Sequence, residues 1–290
     1  MIKLLALDLD GTLLNSKGKI PEANKLAIRQ AEVRGVLVTI ATGRRFRDAL
    51  PVAAELEFNA PLITHNGALL KYAESLETVA ASLLDHETTL EILKVGKSFG
   101  GDALVSVDPH GHGTLLFDTV SDDNIPLQKY IAWSDRLHGD DKGKSAIHVA
   151  KLEAVVGDNE VIHISFSGGC ESMKEMHQVL TEELGETVTL LATIYPELDF
   201  TLLDILPPNA SKGTGVETLA KINGLSPKNV MTIGDNFNDL EMLQFAGTAV
   251  VMGNADPSLL ESQEFYTTVS NDENGVAVAI NKFILNEEKH

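Results

Sequence analysis

The N-terminus carries an almost continuously apolar run, residues 2–9, that closes on two carboxylates. A short run of this kind is typical of a strand buried on both faces, as in parallel sheets. Asp8 and Asp10 stand at its carboxyl end and are followed at once by Gly11 and Thr12. In open α/β sheets, ligands bind at the carboxyl ends of the strands. The run therefore predicts a parallel sheet with a polar site at the end of its first strand.

Two carboxylates at a buried strand end are costly unless a cation or hydrogen bonds compensate them. A divalent metal ion is a simple compensation. Side chains two residues apart on a strand point the same way, roughly 6–7 Å from one another. Asp8 or Asp10 could then attack a central atom while the other carboxylate faces the leaving group. The alternative is a pair of aspartates that only caps the next helix.

Strand and helix signals alternate in both terminal thirds of the chain, which predicts βαβ units and a parallel sheet. The N-terminal third has predicted strands at residues 2–9, 36–41 and 61–64 and predicted helices at 21–34 and 46–56. The C-terminal third has predicted helices at 211–222, 239–245 and 275–285 and predicted strands at 229–233, 248–252 and 266–269. We therefore expect the two thirds to share one sheet.

The middle of the chain shows a different pattern. It has predicted helices at 87–99 and 171–184 and predicted strands at 103–107, 114–117, 161–167 and 188–192. Residues 134–144, SDRLHGDDKGK, are interpreted as a solvated loop. The predicted fold is thus α/β, a Rossmann-like parallel-sheet core formed by residues 1–84 and 196–290. An α+β domain at 85–195 is inserted into it.

Three further polar segments fall at predicted strand ends or at the start of a helix, and a parallel sheet would bring them to the edge where Asp8 lies. Thr42 and Gly43 follow the run VLVTI, Lys212 opens a helix, and GDNFND at 234–239 follows the run NVMTI. Taken singly, each segment could be an ordinary loop, a solvated first-turn residue or a helix cap. Their joint occurrence in this order favours a functional site.

Each of these residue types has a chemical rationale. Asp235 and Asp239 supply hard oxygen ligands of the kind that magnesium prefers. Thr42, the Gly43 N–H and Asn238 can donate hydrogen bonds to phosphate oxygens. Lys212 adds a positive charge at a helix N-terminus, where backbone N–H groups also favour anions. These groups together predict a site for a phosphate and a divalent cation.

Composition limits the partners. The 290 residues carry a formal net charge of −19, which argues against nucleic acid and anionic membranes as partners. A phosphate substrate must then find local positive charge from lysine and metal. Cys170 is the single cysteine, so an intramolecular disulfide is impossible, and a cytoplasmic protein is expected. Neither a signal peptide nor a membrane-spanning run is evident, and the oligomeric state stays open.

Four motifs resemble the haloacid dehalogenase-like superfamily of aspartate-nucleophile phosphatases. They are DLDGTLL at 8–14, ATGR at 41–44, the SKG around Lys212 and GDNFNDLEML at 234–243. ITHNGALL at 63–70, SNDENGVAVAI at 270–280 and the position of the insert resemble the Cof-type subfamily, which has a class IIB cap. The resemblance spans essentially the whole chain and implies that the insert is a cap that selects the substrate.

The resemblance implies a two-step phosphoric monoester hydrolysis. Asp8 would be the nucleophile and form an aspartyl-phosphate, while Asp10 would protonate the leaving alcohol and then activate water. Mg²⁺ would be held by the Asp8 side chain, the Asp10 backbone carbonyl and Asp235, with Asp239 supporting these ligands.

The remaining implied roles concern the substrate. Thr42, Gly43, Lys212 and Asn238 would hold the phosphoryl group, and Arg44, Asn66 and Gly67 are candidate substrate contacts. The expected substrate is a small phosphorylated metabolite, such as a sugar phosphate or a pyridoxal phosphate-like compound. The alternatives are a phosphomutase of the same superfamily and a metabolite-binding module without catalysis. A binder needs no nucleophile, so the retention of both Asp8 and Asp10 argues against that module.

Overall fold

The structure, a computed structural model, describes residues 1–137 and 145–286. Within them the chain forms two compact units. The core unit comprises Met1–Arg44, Ala49–Ser75 and the described residues from Ser211 onward. The inserted unit comprises Arg45–Asp48 and the described part of Leu76–Ala210. Most of the second unit is therefore an insertion in the sequence of the first.

Strands and α-helices are numbered in chain order. The strands are β1 (Leu4–Leu7), β2 (Leu37–Ile40), β3 (Leu62–Thr64), β4 (Leu69–Lys71), β5 (Thr78–Ala81), β6 (Asp102–Val107), β7 (Thr114–Phe117), β8 (Ala146–His148), β9 (Val161–Gly168), β10 (Thr189–Tyr195), β11 (Phe200–Leu206), β12 (Val230–Gly234), β13 (Thr248–Val251) and β14 (Tyr266–Thr267). The α-helices are α1 (Glu22–Val33), α2 (Phe46–Leu56), α3 (His86–Ser98), α4 (Ile125–Leu137), α5 (Cys170–Leu184), α6 (Lys212–Ile222), α7 (Leu240–Phe245), α8 (Pro257–Leu260) and α9 (Gly275–Ile280).

A parallel sheet organises the core unit, with the strand order β14-β13-β12-β1-β2. The central strand β1 is buried along its whole length. Leu4 pairs with Val230 of β12 on one side and with Leu37 of β2 on the other. An all-apolar strand flanked on both sides is what a doubly covered parallel sheet requires. The predicted α/β class with a parallel-sheet core is confirmed.

The helices of the core unit pack one apolar stripe against this sheet. In α1 the buried residues are Asn24, Ala27, Ile28 and Ala31, and the spacing of three and four places them on one face. Gly35 follows the helix with φ 78°, a left-handed conformation that glycine adopts without steric cost. Across the described residues, no helix combines the length and the apolar character that crossing a bilayer requires.

A six-stranded sheet organises the inserted unit, in the order β10-β11-β9-β6-β7-β8. Its neighbours pair antiparallel, apart from the parallel pair β7–β8. Ile164 and Phe166 of β9 belong to a buried cluster that also contains Ile92 of α3 and Met176 of α5. A Cβ built at Gly96 of α3 would lie 2.1 Å from the Phe166 ring, so the helix and sheet meet too closely there for a side chain.

Two parts of the sequence interpretation need correction. The stretch 134–144 is not a loop throughout: Ser134–Leu137 end helix α4, and 138–144 lie outside the described residues. Ser134 is fully buried and accepts a hydrogen bond from Arg45 Nη2 at 2.8 Å. Because Arg45 is far away in the sequence, the polar residues around Ser134 gave no indication of this contact. The sequence analysis also left out β11 (Phe200–Leu206), which pairs with β9 and β10 although it follows the predicted insert 85–195.

Candidate active site

The carboxyl ends of β1, β2 and β12 meet at one edge of the parallel sheet. Pairing continues past the strands, since the Asp8 N–H donates to Ile233 O at 2.9 Å and the Ala41 N–H donates to Leu7 O at 2.8 Å. Asp8, Thr42 and Asp235 each stand just beyond one of these three strands. Parallel pairing thus gathers residues more than 200 positions apart in sequence, as we expected from the motifs.

Lys212 connects this edge to the start of α6. Its ammonium Nζ lies 2.6 Å from Asp8 Oδ1 and 2.6 Å from Asp239 Oδ1. The Lys212 side chain is only 2% exposed, and burial by itself would lower its pKa. The carboxylates of Asp239 and Asp8 outweigh that effect and raise the pKa, so the ammonium stays charged.

Asp239 is fixed by hydrogen bonds on both of its carboxylate oxygens. Oδ1 binds Lys212, while Oδ2 accepts from the backbone N–H groups of Asp235 at 2.9 Å and Asn236 at 3.0 Å. Gly234 makes this approach possible, because a Cβ there would lie 2.6 Å from the Asp239 side chain. Asp239 is therefore arranged to hold the loop 234–239 and Lys212 in place.

Asp8, Asp235 and Asp239 form an acidic cluster whose ligand atoms lie within 4.8 Å of one another. Asp235 Oδ1 accepts a hydrogen bond from Thr12 Oγ1 at 2.7 Å. Burial is the main reason why the pKa of Asp8 is raised well above its usual range, and burial also raises the pKa of Asp235. The cluster has three carboxylates against the single ammonium of Lys212, a donor set that fits a hard divalent cation.

Asp10 stands apart from that cluster. Its side chain is 57% exposed and forms a bidentate pair with Arg44, whose Nε and Nη2 donate to the carboxylate at 2.8 and 2.6 Å. The resemblance assigns metal binding to the backbone carbonyl of Asp10. The Asp10 carboxylate is paired with the Arg44 guanidinium. Arg44, a candidate substrate contact, is therefore engaged with the proposed general acid.

The predicted phosphate-binding loop, residues 42–44, lies beside the turn 65–67. Thr42 is buried, and its hydroxyl oxygen accepts from the Arg44 N–H at 3.1 Å, which leaves the hydroxyl proton for another acceptor. Asn238 Nδ2 donates to Asn66 Oδ1 at 3.2 Å. Gly67 packs against the start of α6, where a Cβ would lie 1.9 Å from Ser211 O. Asn66 thus lies among the predicted phosphate ligands, while Gly67 provides a close backbone approach.

The sequence analysis gave no role to several residues around the site. Thr12 is fully buried, and its hydroxyl donates to Asp235. Asn254 Nδ2 donates to Gly11 O at 2.9 Å. Asn254 follows the apolar strand β13. The expectation that ligands bind at the carboxyl ends of parallel strands, which identified Asp8 and Asp235, could have identified Asn254 as well. The Ser211 hydroxyl donates to Glu241 and caps α6 next to Lys212. A contact between two helices of this kind leaves no signal in the local sequence.

Comparisons with known proteins place the chain in a family. A model of the haloacid dehalogenase-like hydrolases matches residues 5–280. The chain is 31% identical over 306 residues to the 5-amino-6-(5-phospho-D-ribitylamino)uracil phosphatase YwtE of Bacillus subtilis, covering 98% of each chain. It is 30% identical over 260 residues to the HMP-PP phosphatase of Cronobacter sakazakii, covering 90% of this chain and 87% of that one.

The fold is also found among solved structures. A haloacid dehalogenase-like hydrolase from Bacteroides thetaiotaomicron has a TM-score of 0.80 and 25% sequence identity to this chain. The match covers 97% of this chain and 99% of that one. The likeness therefore extends over the parallel-sheet unit and the inserted unit together.

Proposed function

Because the chain belongs to the haloacid dehalogenase-like hydrolases, we propose that it is a magnesium-dependent phosphatase of small phosphorylated metabolites that works through an aspartyl-phosphate on Asp8. One observation carries the proposal. The Asp8 carboxylate is buried at the sheet edge with one oxygen held on the Lys212 ammonium at 2.6 Å. A nucleophile needs this kind of fixed orientation, and a phosphate dianion needs the adjacent positive charge.

In the first step an Asp8 oxygen attacks phosphorus, and the bond from phosphorus to the leaving oxygen breaks. Asp10 gives its proton to that oxygen, so the alcohol leaves neutral and Asp8 carries the phosphoryl group. In the second step Asp10 takes a proton from water, and the resulting hydroxide attacks phosphorus. The aspartyl bond breaks, and inorganic phosphate and free Asp8 are formed.

The phosphoryl oxygens are proposed to bind four groups: the Thr42 hydroxyl, the Gly43 N–H, the Asn238 amide and Lys212. Lys212 contributes most to the charge balance. Two unit charges ~4 Å apart interact by about 4 kcal/mol at an effective dielectric of ~20, so an unscreened Asp8 carboxylate would oppose a phosphate dianion by an amount of this order. The ammonium offsets that repulsion, and a divalent ion together with the ammonium would reverse its sign.

Asp8, Asp235 and the backbone carbonyl of Asp10 would hold Mg²⁺. Asp239 orients the loop that carries Asp235, because its own oxygens are taken by Lys212 and two backbone N–H groups. When bound, the ion supplies positive charge that offsets the carboxylates and the phosphoryl oxygens. The excess of three carboxylates over one ammonium supports this assignment.

The substrate class is proposed from the chemistry of the site and from the relatives. The residues at the sheet edge serve a phosphoryl group and a metal, which every phosphate monoester shares. Relatives at about 30% identity carry names with different substrates. We therefore propose a small phosphorylated metabolite, a sugar phosphate or a pyridoxal phosphate-like compound, with the inserted unit as the source of selection.

The test is a phosphate-release screen of the purified chain. Sugar phosphates, nucleotides, flavin mononucleotide and pyridoxal phosphate are each incubated with Mg²⁺ or with EDTA, with Asp8→Asn as the matched inactive control. We expect release of inorganic phosphate from at least one ester, loss of release in EDTA, and recovery when Mg²⁺ is restored. Failure to release phosphate from any ester, or full turnover in EDTA with metal content checked, would contradict the proposal.

A further inference from the structure

The turn at residues 65–67 has an unusual backbone. His65, Asn66 and Gly67 have φ values of 52°, 50° and 93°, three left-handed residues in succession. Asparagine and histidine adopt this region more often than most other non-glycine residues, but a left-handed backbone still costs free energy at both. Such strain persists only where the surroundings over-determine it, and it concentrates at functional sites.

Backbone hydrogen bonds hold the turn against the predicted phosphate loop. The His65 N–H donates to Arg44 O and the Asn66 N–H donates to Thr42 O, both at 3.0 Å. In return the Thr42 N–H donates to Ile63 O at 2.9 Å. The strained backbone therefore places the Asn66 side chain at a defined position beside residues 42–44.

That side chain lies between two of the predicted phosphate ligands. Asn66 is 4% exposed, and its Oδ1 accepts from Asn238 Nδ2 at 3.2 Å. A Cβ built at Gly43 would lie 3.1 Å from both Nδ2 and Oδ1 of Asn66, so the amide packs directly over Gly43. The contact to Asn238 joins residues 172 positions apart.

We propose that Asn66 is a positioning residue that fixes the orientation of the Asn238 amide for phosphate binding. An amide presents donors at nitrogen and an acceptor at oxygen. The Asn66 acceptor holds the nitrogen of Asn238, whose second N–H is then directed to a phosphoryl oxygen. Without Asn66 the Asn238 amide can turn and present its carbonyl to the dianion. This inference rests on the proposed function, since it concerns the same phosphate site.

A double-mutant cycle separates positioning from direct contact. Asn66→Gly removes the amide and retains a residue that adopts positive φ without strain. If Asn66 acts through Asn238, its removal has no further effect once Asn238→Ala has been made. If Asn66 touches the phosphate itself, the two losses multiply. Asn274→Gly is the matched control, because Asn274 also has a left-handed backbone, with φ 65°.

The readout is the dissociation constant of inorganic phosphate, measured by calorimetry in Mg²⁺, with kcat and KM for p-nitrophenyl phosphate measured alongside. We expect roughly tenfold weaker phosphate binding in Asn66→Gly and in Asn238→Ala, and no further loss in the double variant. KM is expected to rise more than kcat falls. Asn274→Gly should bind phosphate as the wild type does, and the thermal midpoint of Asn66→Gly should stay close to that of the wild type.

Three outcomes overturn the inference: losses that multiply in the double variant, wild-type phosphate affinity in Asn66→Gly, and a wild-type protein that does not bind phosphate. Failure of the proposed function gives a different result. A wild-type protein that binds phosphate with the coupled pattern but hydrolyses no ester would contradict the phosphatase activity and leave the role of Asn66 intact.

Discussion

Asp8 of the core unit is buried and the Asp204 side chain of the inserted unit is 16% exposed, and these two carboxylates are compensated differently. In the core unit, Asp8 and Asp239 share the Lys212 ammonium at 2.6 Å each. With Asp235 nearby, the cluster still has more negative than positive charge. Removal of one partner of a buried ion pair leaves an uncompensated charge, which is strongly destabilising. The core cluster is therefore built around full charges, and its net negative charge favours binding of one more cation.

In the inserted unit, a serine hydroxyl links a histidine to an aspartate: His163, Ser165 and Asp204. His163 Nε2 lies 3.1 Å from Ser165 Oγ, and the Ser165 hydroxyl donates to Asp204. Burial, helped by the charge of Arg45, lowers the pKa of His163 to about 3. Burial raises the pKa of Asp204 to about 6, against the effect of the Ser165 hydrogen bond. Both shifts favour the neutral form of the group.

The comparison shows that a pKa raised by burial does not by itself distinguish the proposed nucleophile from another aspartate. Asp8 and Asp204 are both shifted upward by burial. What distinguishes Asp8 is a lysine on one oxygen and two further carboxylates within ligand distance. The Asp204 carboxylate instead accepts a hydrogen bond from the Ser165 hydroxyl, which is a neutral partner. Substitutions can test this distinction directly.

The largest contrast is expected between two matched amide substitutions. Asp8→Asn should lower phosphate release from p-nitrophenyl phosphate by roughly 10³-fold or more, because an amide cannot act as the nucleophile. Asp204→Asn should keep that activity within about threefold, because its hydroxyl partner can hold an amide as well. Steady-state kinetics on both proteins, with circular dichroism as the folding control, checks this. Comparable losses in the two variants would remove the distinction.

The next contrast concerns Lys212. Lys212→Met leaves Asp8 and Asp239 buried without their ammonium and should cost about 3–5 kcal/mol of unfolding free energy at pH 8 in EDTA. Lys221→Met is the control on the same helix, since that lysine side chain is 70% exposed and should change stability by less than about 0.5 kcal/mol. Urea denaturation measures both. Equal effects of the two substitutions would show that the core cluster does not depend on its ammonium.

The smallest effects are expected from pH in the inserted unit. The lowered pKa of His163 gives stability that is present above its unfolded value of 6.5 and is lost as pH falls towards 3. The raised pKa of Asp204 gives stability that is present below 3.8 and is lost as pH rises through 6. Between about pH 4 and pH 6 the two contributions oppose one another.

Single substitutions should reveal each contribution. Relative to the wild type, Asp204→Asn should gain stability as pH rises from 4 to 6, and His163→Gln should gain stability as pH falls over the same range. Each slope is at most about 1.4 kcal/mol per pH unit. Urea midpoints at several pH values measure the differences. Parallel profiles for the wild type and both variants would show that these groups titrate alike in the folded and unfolded states.

Much of the core could be predicted from local sequence. Continuous apolar runs identified the parallel strands, and polar residues just beyond them identified Asp8, Thr42 and Asp235, because in a parallel sheet the strand ends coincide. Helix α2 was predicted with the bounds Phe46–Leu56 that the structure shows. These features depend on periodicity within one element.

What escaped prediction depends on contacts between distant elements. Helix α4 contains Pro126 in its first turn, where no helix hydrogen bond from its nitrogen is needed, and Ser134 in its polar last turn is buried. The contact between Asn66 and Asn238 requires a strained turn that no propensity signals. The predicted roles of the site residues still await chemical tests.

The most direct test of the central claim is capture of the phosphoryl group on Asp8. In Asp10→Asn protein an aryl phosphate can still leave, because a nitrophenolate hardly needs a proton, but water is no longer activated. The protein is mixed with p-nitrophenyl phosphate, quenched in acid within one turnover, digested and mapped by mass spectrometry. The account predicts a hydroxylamine-labile phosphate on the peptide that contains Asp8. Release of both products with no protein-bound phosphate at any quench time would contradict it.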